Sequence, residues 1–210
     1  MSDSTSGEPQ SKAALRAHYR ALRRALSTEE RARRSALICD ALITDERVKR
    51  ARVVACYDAF DGEVDLAPLY RELRSLPDPP TLVFPVHQRG QPLRFYEARS
   101  WRELGSSYRR PVGPERALSE LELILSPGVA FSAQGHRLGF GGGFYDRSFP
   151  ELSVAQRQRS DSSLRSSGAI CFGVAFSLQL TSTLPYDPWD LQVDAIATER
   201  GLRSLSLEGA

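Results

Sequence analysis

The sequence predicts an α/β fold, a single domain with a mostly parallel central sheet flanked by helices on both faces. Three observations carry this expectation. Runs at 53–57, 121–125 and 170–175 are almost wholly apolar, as strands covered on both faces are. Stretches whose apolar residues recur at helical spacing alternate with them. The 210 residues show no internal repeat and no domain boundary, so one domain over 11–205 follows a short tail.

The elements read as follows. Residues 1–10, rich in Ser, Gly, Glu and Pro, form a disordered tail. Ser11 caps a helix whose Leu15, Tyr19, Leu22 and Leu26 share one face, with Lys12, Arg16, Arg20 and Arg23 on a neighbouring face. Ser27-Thr28-Glu29-Glu30 has the form of a capping box and starts a second helix through Ile43. Two helices therefore precede the first strand, 53–57, which empties into the turn-rich acidic loop Asp58-Ala59-Phe60-Asp61-Gly62-Glu63. A helix at 66–76 and a strand at 81–86 come next, the strand halted by Pro85 and the loop 87–92. Residues 93–97 form a further strand, and 98–120 are irregular. The strand 121–125 stops at Ser126-Pro127-Gly128. Beyond a glycine-rich segment, a helix opens at Phe144 and reaches Phe149. Residues 151–168, with many Ser, Arg and Gln, are a helix end and a surface loop. Strands at 170–175 and 193–198 bracket the proline-rich acidic loop 184–190.

Net charge is +2, from 28 basic and 26 acidic residues, which gives no global drive toward nucleic acid or membrane. Lys12 and Lys49 are the only lysines, which singles out Lys12 among the site's candidate cations. The three cysteines, Cys39, Cys56 and Cys171, are odd in number and widely spaced, with no zinc or CxxC pattern. Buried free thiols suit a reducing compartment. The polar N-terminus lacks the features of a signal peptide, and no apolar run approaches a spanning helix. A cytoplasmic location is expected.

Gly139, Gly141, Gly142 and Gly143 lie within five residues. Such a run lets successive backbone N–H groups cradle phosphate oxygens, and a helix opening at Phe144 would add its own donors. It is neither a Walker A loop nor a complete G-x-G-x-x-G fingerprint. On composition alone, a mobile glycine hinge is an equal alternative. Arg137 suits phosphate, Tyr145 offers a ring with a polar tip, and Asp146 suits Mg²⁺.

The runs Leu123-Ile124-Leu125-Ser126-Pro127-Gly128-Val129-Ala130-Phe131 and Gly135-His136-Arg137-Leu138-Gly139-Phe140-Gly141-Gly142-Gly143-Phe144-Tyr145-Asp146 strongly resemble the 5-formyltetrahydrofolate cyclo-ligase family. Lys12-Ala13-Ala14-Leu15-Arg16, Tyr57 with Asp61-Gly62-Glu63-Val64-Asp65, and Val174-Ala175-Phe176, Gln179, Leu184-Pro185 and Asp190 agree in order and spacing, so the likeness spans 12–201. The resemblance implies a NagB/RpiA/CoA-transferase-like fold and ATP-dependent closure of 5-formyltetrahydrofolate to 5,10-methenyltetrahydrofolate, with ADP and phosphate released through a phosphorylated formyl intermediate.

Further roles follow from the same likeness. Arg137, Tyr145 and Asp146 are the implied catalytic residues. Lys12, Arg16 and the segment Arg137, Leu138, Gly139, Phe140, Gly141, Gly142, Gly143, Phe144 and Tyr145 would hold ATP. Asp58, Glu63 and Phe140 would meet the folate, Glu63 at its pterin, with Phe60 and Tyr145 as further aromatic neighbours. Asp146 and Asp190 would hold Mg²⁺. The implied partners are ATP and the folate, with no nucleic acid or membrane, and a monomeric chain. A divergent paralogue that senses nucleotide or folate without turnover, or takes another substrate, is the alternative. Four departures keep it open: Trp189 stands where many relatives have histidine, 108–111 lacks a glutamate common among them, 155–168 is longer and more polar than the family leads one to expect, and Gly142 replaces a lysine of some relatives, though a triple glycine is also common there.

Overall fold

A computed structural model describes residues 11–98, 113–153 and 168–205. The tail expected over 1–10, the departure at 108–111 and most of the polar stretch 151–168 lie outside the described residues. The chain opens with α1 (Lys12–Arg24), α2 (Thr28–Thr44) and the short α3 (Glu46–Arg50). The Oγ of Ser11 accepts from the Ala14 N–H at 3.2 Å, and that of Ser27 from the Glu30 N–H at 3.1 Å, so both expected caps form. The Glu30 carboxylate does not complete a capping box. It accepts instead from Arg33 and Arg34.

Next come β1 (Val53–Ala55), α4 (Ala67–Arg74), β2 (Thr81–Val86), β3 (Arg94–Glu97) and β4 (Glu115–Arg116). β5 (Leu123–Pro127), β6 (Ala130–Ser132), β7 (Arg137–Leu138) and α5 (Phe144–Ser148) follow, then β8 (Ile170–Val174), β9 (Leu180–Thr181), β10 (Ala195–Thr198) and β11 (Gly201–Ser204). The expected stop at 126–128 lies two residues late. Ser126 and Pro127 pair in register with Gly173 and Val174, and Pro127 ends the strand, where its missing N–H interrupts no further rung.

The main sheet has eight strands in the order β11-β10-β8-β5-β1-β2-β3-β4. β10, β8, β5, β1 and β2 run parallel, and the outer strands are antiparallel. Side chains alternate across it, as the pleat requires. Val54, Leu123, Leu125 and Phe172 meet Ile38, Leu42, Leu69 and Leu73 of α2 and α4 on one face. Ala55, Ile124, Cys171 and Ile196 meet Phe131, Phe149 and Leu152 on the other. Helical cover on that second face is lighter, consisting of α5 and the 3-10 turn Pro150–Leu152.

A second sheet of three short strands, β7-β6-β9, sits beside the first. α1 packs on it through Tyr19, which meets Val129, Ala130, Leu138 and Leu184. The first helix thus belongs to neither face of the main sheet. It stands beside the carboxyl ends of the parallel strands. From β1 the chain proceeds through α4 to β2 on one side, while β5 lies on the other side of β1. That reversal is the switch point at which open α/β sheets form a crevice.

Candidate functional site

A cavity of about 800 Å³ opens at this crevice, and every candidate residue named from the sequence lines it. Its walls come from α1, the loop after β1, the end of β2, the glycine segment after β7, the start of α5 and the loop 187–190.

One wall is built on the glycine segment. Gly141 has φ +98° and Gly143 φ +63°, backbone conformations that side chains with a Cβ rarely adopt. Gly143 caps α5, which is five residues long, so the expected helix forms but is short. The Arg16 Nε–H donates to the Gly139 carbonyl at 2.8 Å, bracing the segment from α1. Arg137 lies beneath it. Its guanidinium donates to the Pro127 carbonyl and to Asp146 Oδ1, each at 3.2 Å, and stacks 4.9 Å from the Tyr145 ring centre. Its Nε–H is buried without a protein partner. Burial pushes the Tyr145 hydroxyl above its ordinary range, so the phenol stays neutral.

A cluster of charge closes this end. The Lys12 ammonium donates to Asp187 Oδ2 and Asp190 Oδ2, each at 2.6 Å. Burial opposes its charge, but hydrogen bonds to Asp187 and Asp190 and the charges of both carboxylates prevail and raise its pKa. Asp146 Oδ1 also accepts from the Leu191 N–H at 3.1 Å, which ties the start of α5 to the loop carrying Asp190. No group of three or more His, Cys, Asp or Glu side chains suited to a metal occurs among the described residues. The hard oxygen donors here are Asp187 and Asp190, with a cation already seated between them, and Asp146, tied to Arg137 and to the Leu191 N–H.

The opposite end is apolar with one buried acid. Tyr57 fixes the base of the 58–63 loop, its hydroxyl donating to the Val64 carbonyl at 2.9 Å. Glu63 is 7% exposed, and its Oε2 accepts from the Phe60 N–H at 3.0 Å. Burial lifts its pKa to about 7, against the opposing backbone hydrogen bond and the Arg23 charge. Phe60 and Phe140, both substantially exposed, face each other at 6.4 Å between ring centres. Asp58 is exposed at the rim, its pKa raised by partial burial and the neighbouring Asp65.

Sequence reasoning missed Asp187 and His87. Asp187 lies three residues before Asp190 in the same acidic loop, and that proximity was the available signal. His87 follows the last residue of β2, where parallel sheets place ligand contacts, and its ring lies 5.2 Å from Phe144. Trp189, noted only as a departure, is 64% exposed on the cavity's charged side.

A family model described as the 5-formyltetrahydrofolate cyclo-ligase family matches residues 8–199. The 5-formyltetrahydrofolate cyclo-ligase of Escherichia coli K12 is 30% identical over 183 residues, which cover 84% of this chain and 93% of that protein. The Mus musculus protein of the same name is 25% identical over 204 residues, covering 90% and 93%. Among solved structures, the NMR structure of Aquifex aeolicus 5,10-methenyltetrahydrofolate synthetase aligns with a TM-score of 0.72 and 32% identity, covering 95% of this chain and 94% of that one. A 5,10-methenyltetrahydrofolate synthetase from Mycoplasma pneumoniae shares the fold, with a TM-score of 0.70 and 23% identity over 90% and 99% of the two chains.

Proposed function

The chain belongs to the 5-formyltetrahydrofolate cyclo-ligase family, and on that premise we propose that it uses MgATP to close 5-formyltetrahydrofolate to 5,10-methenyltetrahydrofolate in the cytoplasm. The observation that carries this reading is the two-ended cavity. A glycine cradle with cations faces one way, and a buried carboxylate with an aromatic pair faces the other.

In the proposed reaction the formyl oxygen attacks the γ-phosphorus of ATP, and the bond to the β-bridging oxygen breaks to release ADP. The phosphorylated imine is electrophilic at the former formyl carbon. N10 of the folate adds there, loses its proton, and the carbon–oxygen bond breaks to release phosphate. No protein nucleophile is needed, because phosphoryl transfer rests on positioning and charge neutralisation.

The backbone N–H groups of Gly139 to Gly143 would hold the phosphates, with Lys12 and Arg16 supplying charge from α1. Arg137, pinned by Pro127 and Asp146, would keep Tyr145 and the segment above it in place. The donor set fits Mg²⁺, which takes carboxylates and waters. Asp146 and Asp190 would hold it, with Asp187 alongside, and the seated Lys12 ammonium marks a position that accepts a cation. Bound there, the ion would supply neutralisation of polyphosphate charge. Glu63 as carboxylate would accept from pterin N–H groups, Asp58 would meet the substrate at the rim, and Phe60 and Phe140 would cover a ring.

The test is direct. Purified protein with MgATP and 5-formyltetrahydrofolate should develop the near-ultraviolet absorbance of the methenyl product. Binding of an ATP analogue with no absorbance change would overturn turnover in favour of a sensor. Asp146→Asn should cut the rate sharply while the thermal midpoint moves little, and full activity would refute its role.

A further inference from the structure

Arg23 stands at helical spacing with Lys12, Arg16 and Arg20, yet its side chain is 1% exposed. A buried guanidinium is costly unless paired, so its partners carry information. Its Nε–H donates to the Asp61 carbonyl and its Nη2 to Asp61 Oδ2, each at 3.1 Å, while Nη1 reaches the Gly128 carbonyl at 3.4 Å. Its guanidinium carbon also lies 5.4 Å from the Phe140 ring centre. One side chain therefore joins α1, the acidic loop, the turn after β5 and the glycine segment.

Asp61 is the other half. Its φ of +53° is the only positive value among the described non-glycine residues, and such a conformation persists only where surroundings enforce it. Arg20 Nε meets its Oδ2 at 2.9 Å, Arg24 Nε its Oδ1 at 2.6 Å, and Arg23 takes both carboxylate and carbonyl. The loop's cavity-facing groups flank Asp61, Phe60 one residue before and Glu63 two after. Phe60 opposes Phe140, and Glu63 bonds the Phe60 N–H at 3.0 Å. Packing of α1 does not require a charge at position 23, since Tyr19 and Leu15 already supply its apolar contact.

We propose that Arg23 and Asp61 form a positioning pair that seats Glu63 and Phe60 against Phe140 at the folate end of the cavity and sets the local charge there. The inference rests on the folate reading for its ligand but not for its geometry. Glu63 is surrounded by charge of both signs. Arg23 of α1 favours its ionised form, and Asp58 and Asp61 of its own loop oppose it. Tyr57 and Tyr145 of α5 also face it, and Arg31 of α2 lies beside Gly62. A guanidinium removed from this set and a carboxylate removed from it should therefore shift Glu63 in opposite directions.

Carbon-13 NMR of carboxyl-labelled glutamate reads this without any ligand, the Glu63 signal being the one missing in Glu63→Gln. Arg23→Met should move the Glu63 midpoint up from its starting value near 7, and Asp61→Asn should move it down. Arg23→Lys should keep the midpoint but not the forked contact. In calorimetry, Arg23→Met and Asp61→Asn should each weaken 5-formyltetrahydrofolate binding by about tenfold or more while an ATP analogue stays within about twofold. Midpoints that stay put or move the same way overturn the pair, as do equal losses for both ligands. If Arg23→Met does not fold, Asp61→Asn and Arg23→Lys decide the matter. Failure of the wild-type protein to bind the folate sinks the functional reading alone, because the NMR arm still judges the pair.

Discussion

Glu63→Gln should make the protein more stable at alkaline pH and less able to bind folate. Burial lifts this carboxyl from its ordinary 4.5 to about 7, so at 1.36 kcal/mol per pH unit the folded state loses about 3 kcal/mol when the group is ionised. The folded form holds its proton more tightly than the unfolded chain. Stability is therefore lost as pH rises from about 4.5 to about 7, and the loss stays constant above that. Near pH 5.5 the unfolded chain has released the proton while the folded chain keeps it, so the cost is about 1.4 kcal/mol. Near pH 8.5 the full cost of about 3 kcal/mol applies, so the advantage of glutamine grows by roughly 2 kcal/mol between the two. For a chain of this size that is roughly 4–8 °C in thermal midpoint. Thermal scans of both proteins at the two pH values measure it. A glutamine variant no more stable than wild type at pH 8.5, or an advantage independent of pH, would refute the reasoning. In the folate assay the wild-type affinity should fall as pH drops through about 7, because the accepting carboxylate is lost.

Three further outcomes follow from the packing. Gly173→Ala would place a Cβ 2.5 Å from the Phe131 ring against a strand paired on both sides, so it should destabilise by about 1–3 kcal/mol, with Phe131→Leu in the same chain restoring part of the loss. Gly143→Ala forces an L-residue into φ +63° at a cost of about 1–2 kcal/mol and should lower kcat/KM for ATP more than it lowers folate affinity. A thiol reagent such as Ellman's should label none of the cysteines in the native protein. All three are buried, with Cys39 pushed up to about 11 and Cys56 pushed higher still, so immediate reaction of any one would contradict the burial.

The parts of the fold that were legible are those with local grammar. Ser11 and Ser27 announce their helices because a cap needs only residues within one turn. The apolar runs announce buried strands because both faces are covered. β6, β7 and β9 are two or three residues long, too short to show a period, and they gain their pairing only from one another. β11 escaped notice because Gly201-Leu202-Arg203-Ser204 has no apolar alternation, and its partner is the strand just before it. In the sequence Arg23 is one more arginine at helical spacing with Arg16 and Arg20. Nothing within one helical turn reveals that Asp61, 38 residues away, will bury it. The glycine segment was legible as a cradle, but the seating of Lys12 on Asp187 and Asp190 was not, since those contacts span 175 and 178 residues.

The chemistry open to this site narrows when its reactive groups are weighed one by one. The cysteines are buried, with Cys39 and Cys56 held in the thiol form. The Tyr145 phenol is held neutral by burial. What remains is a set of fixed charges and dipoles. Arg137 is pinned by two acceptors, Arg16 is committed to the glycine segment, and Lys12 is held by two carboxylates. Such a site can orient and neutralise a polyphosphate but has no poised nucleophile among these residues, which matches a reaction whose nucleophiles both belong to the substrate. Lys12 spends two of its three ammonium donors on Asp187 and Asp190, so a phosphate can take the third and draws on the same charge as those carboxylates. Freed of the ammonium, those carboxylates become the natural seat for a second cation. Lys12→Met should therefore weaken ATP and strengthen binding of Mg²⁺ alone, measured by calorimetry. A variant in which both weaken together would show that Lys12 supports the carboxylates instead of competing for them.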